Sequence, residues 1–231
     1  MLDIRNLDFH YGGVQALWHV SMAIPPAQIT CVMGRNGVGK TTLLRNLMGL
    51  LTPSGGTITM GGIDITRQTA NQRARFGLAL VPQGRMIFPK LTVEENLKVG
   101  LQARRDGVRR VPELVYELFP ILKDFRSRRG GDLSGGQQQQ LAIARAMVGD
   151  PKVMLLDEPT EGIQPNIIQQ IGRVLRRLVD DMNMTVVIVE QYLDFVKEFG
   201  HGFHVMNRGQ VVASGRTPQL TADIVQEHLS V

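Results

Sequence analysis

Three short stretches carry residue types at spacings that can do chemistry. Gly34-Arg35-Asn36-Gly37-Val38-Gly39-Lys40-Thr41 fits a phosphate-binding loop in full, with glycines at fixed offsets closing on a lysine and a hydroxyl. Glycines let backbone N–H groups turn inward around phosphate oxygens. A helix starting where the loop ends aims its positive pole at the same oxygens. In that setting Lys40 reaches β- and γ-phosphates, and the Thr41 hydroxyl can ligate Mg²⁺. The second stretch, Val153-Met154-Leu155-Leu156-Asp157-Glu158, is an apolar strand that delivers two carboxylates at its C-terminal end, where open α/β sheets bind ligands. Asp157 is read as holding Mg²⁺ through water, and Glu158 as the general base that polarises an attacking water. An apolar strand ending in two acids is common by itself; the loop upstream gives it this meaning. The third stretch, Leu133-Ser134-Gly135-Gly136-Gln137, repeats the logic of the first, with a hydroxyl and two glycines at a helix start. One nucleotide does not need two such cradles.

The elements that must position these groups follow from periodicity. Residues 2–10 alternate apolar and polar, Gln15–Ile24 reads as a second strand, and both lie in a separate antiparallel unit. Ile29–Met33 is a short apolar strand running into the loop, and Thr41–Leu51 has apolar residues at helical spacing. Further strands are expected at Thr57–Met60, Gly77–Pro82, Val153–Leu156 and Val186–Val189, the last two of the buried parallel kind. Helices are expected over Val93–Arg105, Pro112–Lys123, Gly136–Val148 and Pro165–Met182, the last opening on a first-turn proline. Phe203–Met206 and Gln210–Ala213 flank Asn207-Arg208-Gly209, a hairpin signal. Strands alternating with helices predict an α/β fold with a parallel core sheet, and the mostly helical stretch from about Val93 to Gly149 reads as an insert.

The ordered motifs resemble those of ATP-binding-cassette (ABC) proteins, with Leu133–Gln137 matching the family signature, and the resemblance runs over nearly the whole chain. It implies one ABC-type phosphate-loop ATPase domain over residues 1–231. The nucleotide-binding core and an N-terminal antiparallel β subdomain would occupy 1–92 and 150–231, and a helical signature subdomain about 93–149. ATP and Mg²⁺ are the implied ligands. Tyr11 stands where the family places an aromatic on adenine, and Gly34, Arg35, Asn36, Gly37, Val38, Gly39, Lys40, Thr41 and Thr42 would bind the phosphates. Ser134, Gly135, Gly136 and Gln137 of one subunit would close on the γ-phosphate held by another. Gln83 matches the glutamine-loop residue that senses Mg²⁺ and the attacking water, which makes Thr41, Gln83 and Asp157 the implied metal set. Gly84–Leu97 would receive a coupling helix of a permease.

Two departures narrow the branch. Gln191 stands where the family's switch histidine usually lies; it can donate to a γ-phosphate but carries neither proton nor charge. Gln164 stands where many relatives have Asp. Glu158, Gln83 and Gln191 are thus the implied catalytic set, with reduced turnover at this chain's own site an open alternative. Glu158–Pro165 with Val189–Phe195 resembles importers of branched-chain amino acids and urea, most closely the shorter, histidine-lacking ATPase chain of the urea type, and Gln140 fits the same group. Urea is therefore the expected solute, with branched-chain amino acids or short amides as the alternative. The implied partners are a second, different ABC ATPase, two transmembrane permeases and, indirectly, an extracytoplasmic solute-binding protein. The implied place is the cytoplasmic face of the plasma membrane, held peripherally.

Composition limits the rivals. The 231 residues include 26 basic and 21 acidic side chains, a formal +5, with 43% hydrophobic residues, as in an ordinary globular chain. One cysteine, Cys31, excludes an internal disulfide. The start carries charges of both signs and is not expected to be a secretory signal. No apolar run is long enough to span a bilayer. Arg104, Arg105, Arg109, Arg110, Arg126, Arg128 and Arg129 gather charge on the helical stretch without interleaved aromatics, so no nucleic-acid partner is expected. His201 and His204 lack a third ligand nearby, and Trp18 is expected to pack within a strand.

Overall fold

The computed structural model describes residues 1–228. In chain order its elements are β1 (Leu2–Tyr11), β2 (Val14–Ile24), β3 (Ile29–Met33), α1 (Lys40–Met48), β4 (Gly55–Met60), β5 (Ile63–Asp64), α2 (Ala70–Phe76), β6 (Leu78–Val81), α3 (Val93–Gly100), α4 (Glu113–Leu118), α5 (Pro120–Asp124), α6 (Gly135–Val148), β7 (Val153–Asp157), α7 (Pro165–Met182), β8 (Thr185–Val189), α8 (Leu193–Phe199), β9 (Gly202–Asn207), β10 (Gln210–Arg216) and α9 (Ala222–His228).

Two sheets result. An antiparallel one has the order β2-β1-β4-β5, and a larger one the order β10-β9-β3-β8-β7-β6. In the larger sheet β6, β7, β8, β3 and β9 pair in parallel, and β10 closes the edge antiparallel to β9 across the expected hairpin. Each residue of β3, β7 and β8 is buried, as expected of strands covered on both faces. Parity then sorts their side chains. Ile29, Cys31 and Met33, Met154 and Leu156, and Val186 and Ile188 face a core shared with α3–α8. Val32, Val153 and Leu155, and Val187 and Val189 face the other core, with Leu43, Leu44 and Leu47 of α1 and Leu2, Leu7 and Leu17 of the antiparallel sheet. The helix that follows the phosphate loop is thus clamped between two sheets. Cys31 is fully buried, and burial, with Glu190 nearby, pushes its thiol up to about 12, so it is an unreactive small core residue.

The ends of α1 and α2 are tied by one buried cation. The Arg73 guanidinium donates to the carbonyls of Asn46 at 2.6 Å, Leu47 at 2.7 Å, Thr66 at 2.7 Å and Gln68 at 3.1 Å. The first two are carbonyls of the last turn of α1, where a cation also meets the negative pole of the helix; Asn46 accepts from the Gly49 N–H as well, at 3.1 Å. Gly49, left-handed at φ 79°, makes room: a Cβ there would lie 2.9 Å from Arg73 Nε. α2 itself is fastened by a capping box between Thr69 and Gln72.

Several expectations are corrected. The helix expected over Val93–Arg105 ends at Gly100 and gives way to a 3-10 turn at Leu101–Ala103, with Arg104 extended. The helix expected over Pro112–Lys123 is two, because Pro120 forbids helical geometry to the residue before it, and Phe119 takes φ −129°, ψ 72°. Trp18 does not pack inward; its side chain is 43% exposed on the outside of β2. No helix among the described residues is long and apolar enough to cross a membrane.

Candidate functional site

The site forms at the C-terminal ends of four adjacent parallel strands, β3, β8, β7 and β6, where dipoles and loops converge. The loop after β3 is built on glycines that no other residue can replace. Gly34 takes φ 146°, and a Cβ there would fall against the carbonyl oxygen of Met206. Gly39 takes φ 107°, with a Cβ position 2.9 Å from the carbonyl of Ala16. β9 and β2 therefore set the curvature of the loop from below.

Lys40 opens α1 and is 5% exposed. Its Nζ donates to the Gly34 carbonyl at 2.7 Å and the Arg35 carbonyl at 2.9 Å, and lies 3.7 Å from Glu158 Oε1. Burial lowers its pKa, and the charges of Glu158, Asp157 and Glu190 oppose that shift. The Thr41 hydroxyl donates to Asp157 Oδ1 at 3.2 Å. Burial raises the Asp157 carboxyl, and the Thr41 hydrogen bond opposes this. Asp157 makes no ion pair among the described residues. A buried carboxylate with no cation at ion-pair distance, beside a hydroxyl, is a hard-oxygen donor pair, which fits Mg²⁺. Among the described residues no cluster of three or more His, Cys, Asp or Glu could hold a metal alone, so phosphate oxygens and water would complete the shell.

Glu158 follows with a left-handed backbone, φ 48°. Its Oε1 accepts from Gln191 Nε2 at 2.7 Å and its Oε2 from Gln83 Nε2 at 3.2 Å. Gln191 Nε2 also donates to Asn36 Oδ1 at 2.7 Å, tying the loop after β8 to the phosphate loop. The expected residues Asn36, Lys40, Gln83, Glu158 and Gln191 therefore form one connected network, with the Thr41–Asp157 pair beside it. A cavity of about 950 Å³ opens on it, lined by Thr41, Gln83, Asp157 and Glu161 among others.

Tyr11 is beside the loop but outside this network. Its hydroxyl is 3.4 Å from Thr42 Oγ1, its ring packs edge-on to Phe9 at 4.8 Å, and it remains 46% exposed. Its exposed position next to Thr42 offers a flat apolar face to a base. The Ser134–Gln137 stretch lies apart: among the described residues no hydrogen bond or ion pair joins it to Gly34–Thr42. Ser134 caps α6, and its hydroxyl and Gln137 close a capping box.

Sequence reasoning passed over four residues that the structure brings to the site. Glu190, buried at the end of β8, accepts from the Thr160 hydroxyl at 2.6 Å and from the N–H groups of Thr160, Gln191 and Tyr192. Burial raises its pKa, and those four bonds oppose the shift. It anchors the loop that carries Gln191. A carboxylate directly after the apolar run Val186–Val189, with another apolar run ending in Asp157-Glu158, was the available signal. Thr160 is its partner, and Glu161 and Arg85 link the loops after β7 and β6.

A second surface feature lies along β6, α2, α3 and α6. A groove of about 410 Å³ there is lined by Met86, Phe88, Val99, Gln102 and Arg145, with the first three side chains exposed. The Arg145 guanidinium sits 5.1 Å over the Phe88 ring and donates to the Met86 carbonyl at 2.9 Å.

Comparison with known proteins agrees with this geometry. The family model described as ABC transporter matches residues 17–161. The high-affinity branched-chain amino acid transport ATP-binding protein BraG of Pseudomonas aeruginosa is 38% identical over 213 residues, 92% of this chain and 91% of that protein. The probable branched-chain amino acid transport ATP-binding protein LivF of Archaeoglobus fulgidus is 34% identical over 221 residues, 95% and 94% of the two chains. A nucleotide-free ATP-binding cassette from an ABC transporter superposes with TM-score 0.83 at 28% identity, covering 100% of this chain and 95% of that one. A dimeric cassette in a post-hydrolysis state bound to ADP and Pi gives TM-score 0.84 at 25% identity, covering 94% and 99%. The loop, the paired carboxylates and the fold that holds them thus meet in one known protein class: the chain belongs to the ABC transporter family, as one of its ATP-binding, ATP-hydrolysing subunits.

Proposed function

We propose that this chain is the motor of a multi-subunit membrane importer for a small solute. The observation that carries the reading is the convergence of Lys40, Asp157, Glu158, Gln83 and Gln191 at four neighbouring strand ends, with Gln83 and Asp157 opening on a cavity. Gly34–Thr42 wrap the phosphates, Tyr11 takes the adenine, and Lys40 turns from its two backbone carbonyls to the β- and γ-phosphate oxygens. Thr41, Asp157 and Gln83 would hold Mg²⁺, which would offset charge on the phosphates. Glu158 accepts a proton from the attacking water, and Gln191 donates to the γ-phosphate side through a neutral amide. Ser134–Gln137 serve the nucleotide of a partner ATPase, and their place away from this chain's own loop supports that role. The core of 1–92 and 150–231 carries the nucleotide, and the helical stretch of about 93–149 carries the signature.

The groove with exposed Met86, Phe88 and Val99, beside the Gln83 loop, suits an apolar segment of a permease and supports peripheral attachment at the cytoplasmic face of the membrane. The assembly holds this chain, a second and different ATPase, two permeases and an extracytoplasmic binding protein that feeds them. BraG and LivF support branched-chain amino acids as the solute. Urea is the second reading, favoured by Gln191 and by the buried Gln140, which donates to Gln170 at 3.3 Å. Uptake of labelled leucine and labelled urea, in cells with and without the chain, decides between them: the true solute loses ATP-dependent uptake and the other does not. If neither changes, the importer reading falls.

The neutral Gln191 makes this site the slower of the two in the assembly. Glu158→Gln should therefore reduce the ATPase rate of the complex less than the matching change in the partner ATPase, as read by phosphate release. Equal losses would count against the asymmetry.

A further inference from the structure

We propose that Glu161 is a positioning residue for Glu158, acting through Gln83. This rests on the reading of Glu158 as the base. The amide of Gln83 has two protons, and the structure offers it two carboxylate acceptors: Glu161 Oε2 at 3.0 Å and Glu158 Oε2 at 3.2 Å. Both donors are thereby spent. On its other side Glu158 Oε1 already accepts from Gln191 at 2.7 Å and faces Lys40 at 3.7 Å. Glu158 is thus held on both sides, and its orientation depends on where the Gln83 amide is held. The bond to Glu161, the shorter of the two, fixes the plane of that amide and aims its other proton at Glu158 Oε2.

Glu161 is itself held in place. Its N–H donates to the Glu158 carbonyl at 3.2 Å, and its own carbonyl accepts from Arg85 Nη2 at 3.5 Å. Arg85 lies two residues beyond Gln83, so side chains of the loop after β6 grip Glu161 twice, once at its carboxylate and once at its backbone. The same arginine lies under the signature helix, where a Cβ on Gly135 would stand 3.0 Å from its Nη1. The Glu161 carboxylate makes no ion pair among the described residues, and it lines the cavity with Thr41, Gln83 and Asp157. Without Glu161 the Gln83 amide is free to turn, and Glu158 loses its fixed orientation. Turnover then drops, and nucleotide affinity, which depends on the loop and Lys40, does not.

The test uses the full chain in its assembled transporter for turnover, and the purified full chain without nucleotide for spectroscopy. Glu161→Ala should lower kcat about three- to tenfold, the worth of one hydrogen bond, with KM for ATP within about twofold of the parent. Glu161→Gln keeps a carbonyl acceptor at the same reach and should restore kcat. In a Gln83→Ala background, Glu161→Ala should have no further effect. The ¹⁵N side-chain amide resonance of Gln83, assigned by its loss in Gln83→Ala, should move in Glu161→Ala and stay in Glu161→Gln. Equal kcat losses in both backgrounds, an unrescued Glu161→Gln, or an unmoved amide resonance would overturn the proposal. Thermal unfolding of each variant identifies any loss that comes from misfolding, and then the isosteric Glu161→Gln and the amide resonance decide. If Glu158→Gln leaves turnover intact, the reading of Glu158 as base has failed; if Glu158→Gln is inactive and Glu161→Ala is not impaired, only the role of Glu161 has failed.

Discussion

Lys40→Ala is expected to abolish ATP-driven uptake while leaving the fold standing. The ammonium is nearly buried, and its pKa is lowered by that burial, so the folded chain spends free energy to keep a cation there. It is held by two backbone carbonyls of the loop, at 2.7 and 2.9 Å, with a carboxylate 3.7 Å away. That leaves a cation poised at the loop mouth. Loss of one such preorganised charge from a phosphoryl-transfer site typically costs about 10²- to 10³-fold in turnover. Nucleotide affinity should fall at least about tenfold, since charge-assisted hydrogen bonds are worth about 1.5–3 kcal/mol each. Removal of a buried, desolvated ammonium partly offsets the loss of its two bonds, so the melting temperature without nucleotide should move by only a few degrees. Titration of a fluorescent ATP analogue, solute uptake and thermal unfolding check the three parts. Retained binding with retained uptake would mean that the loop does not hold the nucleotide.

Arg73→Ala is expected to give the largest loss of stability of any change outside the site. The guanidinium serves four backbone carbonyls and is 1% exposed. Its removal takes the side-chain donor from Leu47, Thr66 and Gln68, leaves Asn46 with only the Gly49 N–H at 3.1 Å, and opens a cavity the size of the lost side chain. Hydrogen bonds from a charged donor cost about 1.5–3 kcal/mol each when one partner is deleted, and such losses do not add fully. A net loss of about 3 kcal/mol, or on the order of 10 °C in Tm for a chain of this length, is the expected result. Arg73→Lys should recover only part of it, because one ammonium cannot reach four acceptors set around a planar fork. The same loss should reach the nucleotide. Asn46 and Leu47 end α1, which begins at Lys40, so a frayed C-terminus frees the helix to tilt between its two sheets. Binding of ATP should weaken in Arg73→Ala although the side chain lies far along the helix from the loop. Unfolding curves with and without nucleotide separate the two effects; an unchanged Tm would show that the four carbonyls find other donors.

The parts of the fold that were legible in the sequence are those with one dominant signal. The mostly apolar, fully buried runs of β3, β7 and β8 announce parallel strands covered on both faces, and the apolar face of α7 with its leading proline announces an amphipathic helix. α2 gave no such signal. Ala70–Phe76 has no apolar stripe, and its one fully buried side chain is an arginine, so the helix exists because Thr69 caps it and the carbonyls of α1 need a donor. The split at Phe119–Pro120 was readable in principle from the proline, but the helical spacing on both sides concealed it. At the site, motif residues were legible because the chain brings them together at fixed short offsets. Glu161 was not: its partner Gln83 is 78 positions away, and only the adjacency of β6 and β7 makes them neighbours. Glu190 is partly of the same kind: two of its four donors come from Thr160, 30 positions away, on the loop that follows the neighbouring strand.

The left-handed backbone of Glu158, φ 48°, sets a limit on how this protein can be improved. A side chain in that conformation costs about 1–2 kcal/mol relative to glycine. Random mutagenesis scored only by heat resistance would tend to discard glutamate at 158, since glycine relieves the backbone there at once. The survivors would be robust cassettes without a base. Thermal hardening of this chain therefore has to be sought far from the end of β7, in surface helix positions and loops, with position 158 fixed and turnover measured alongside survival.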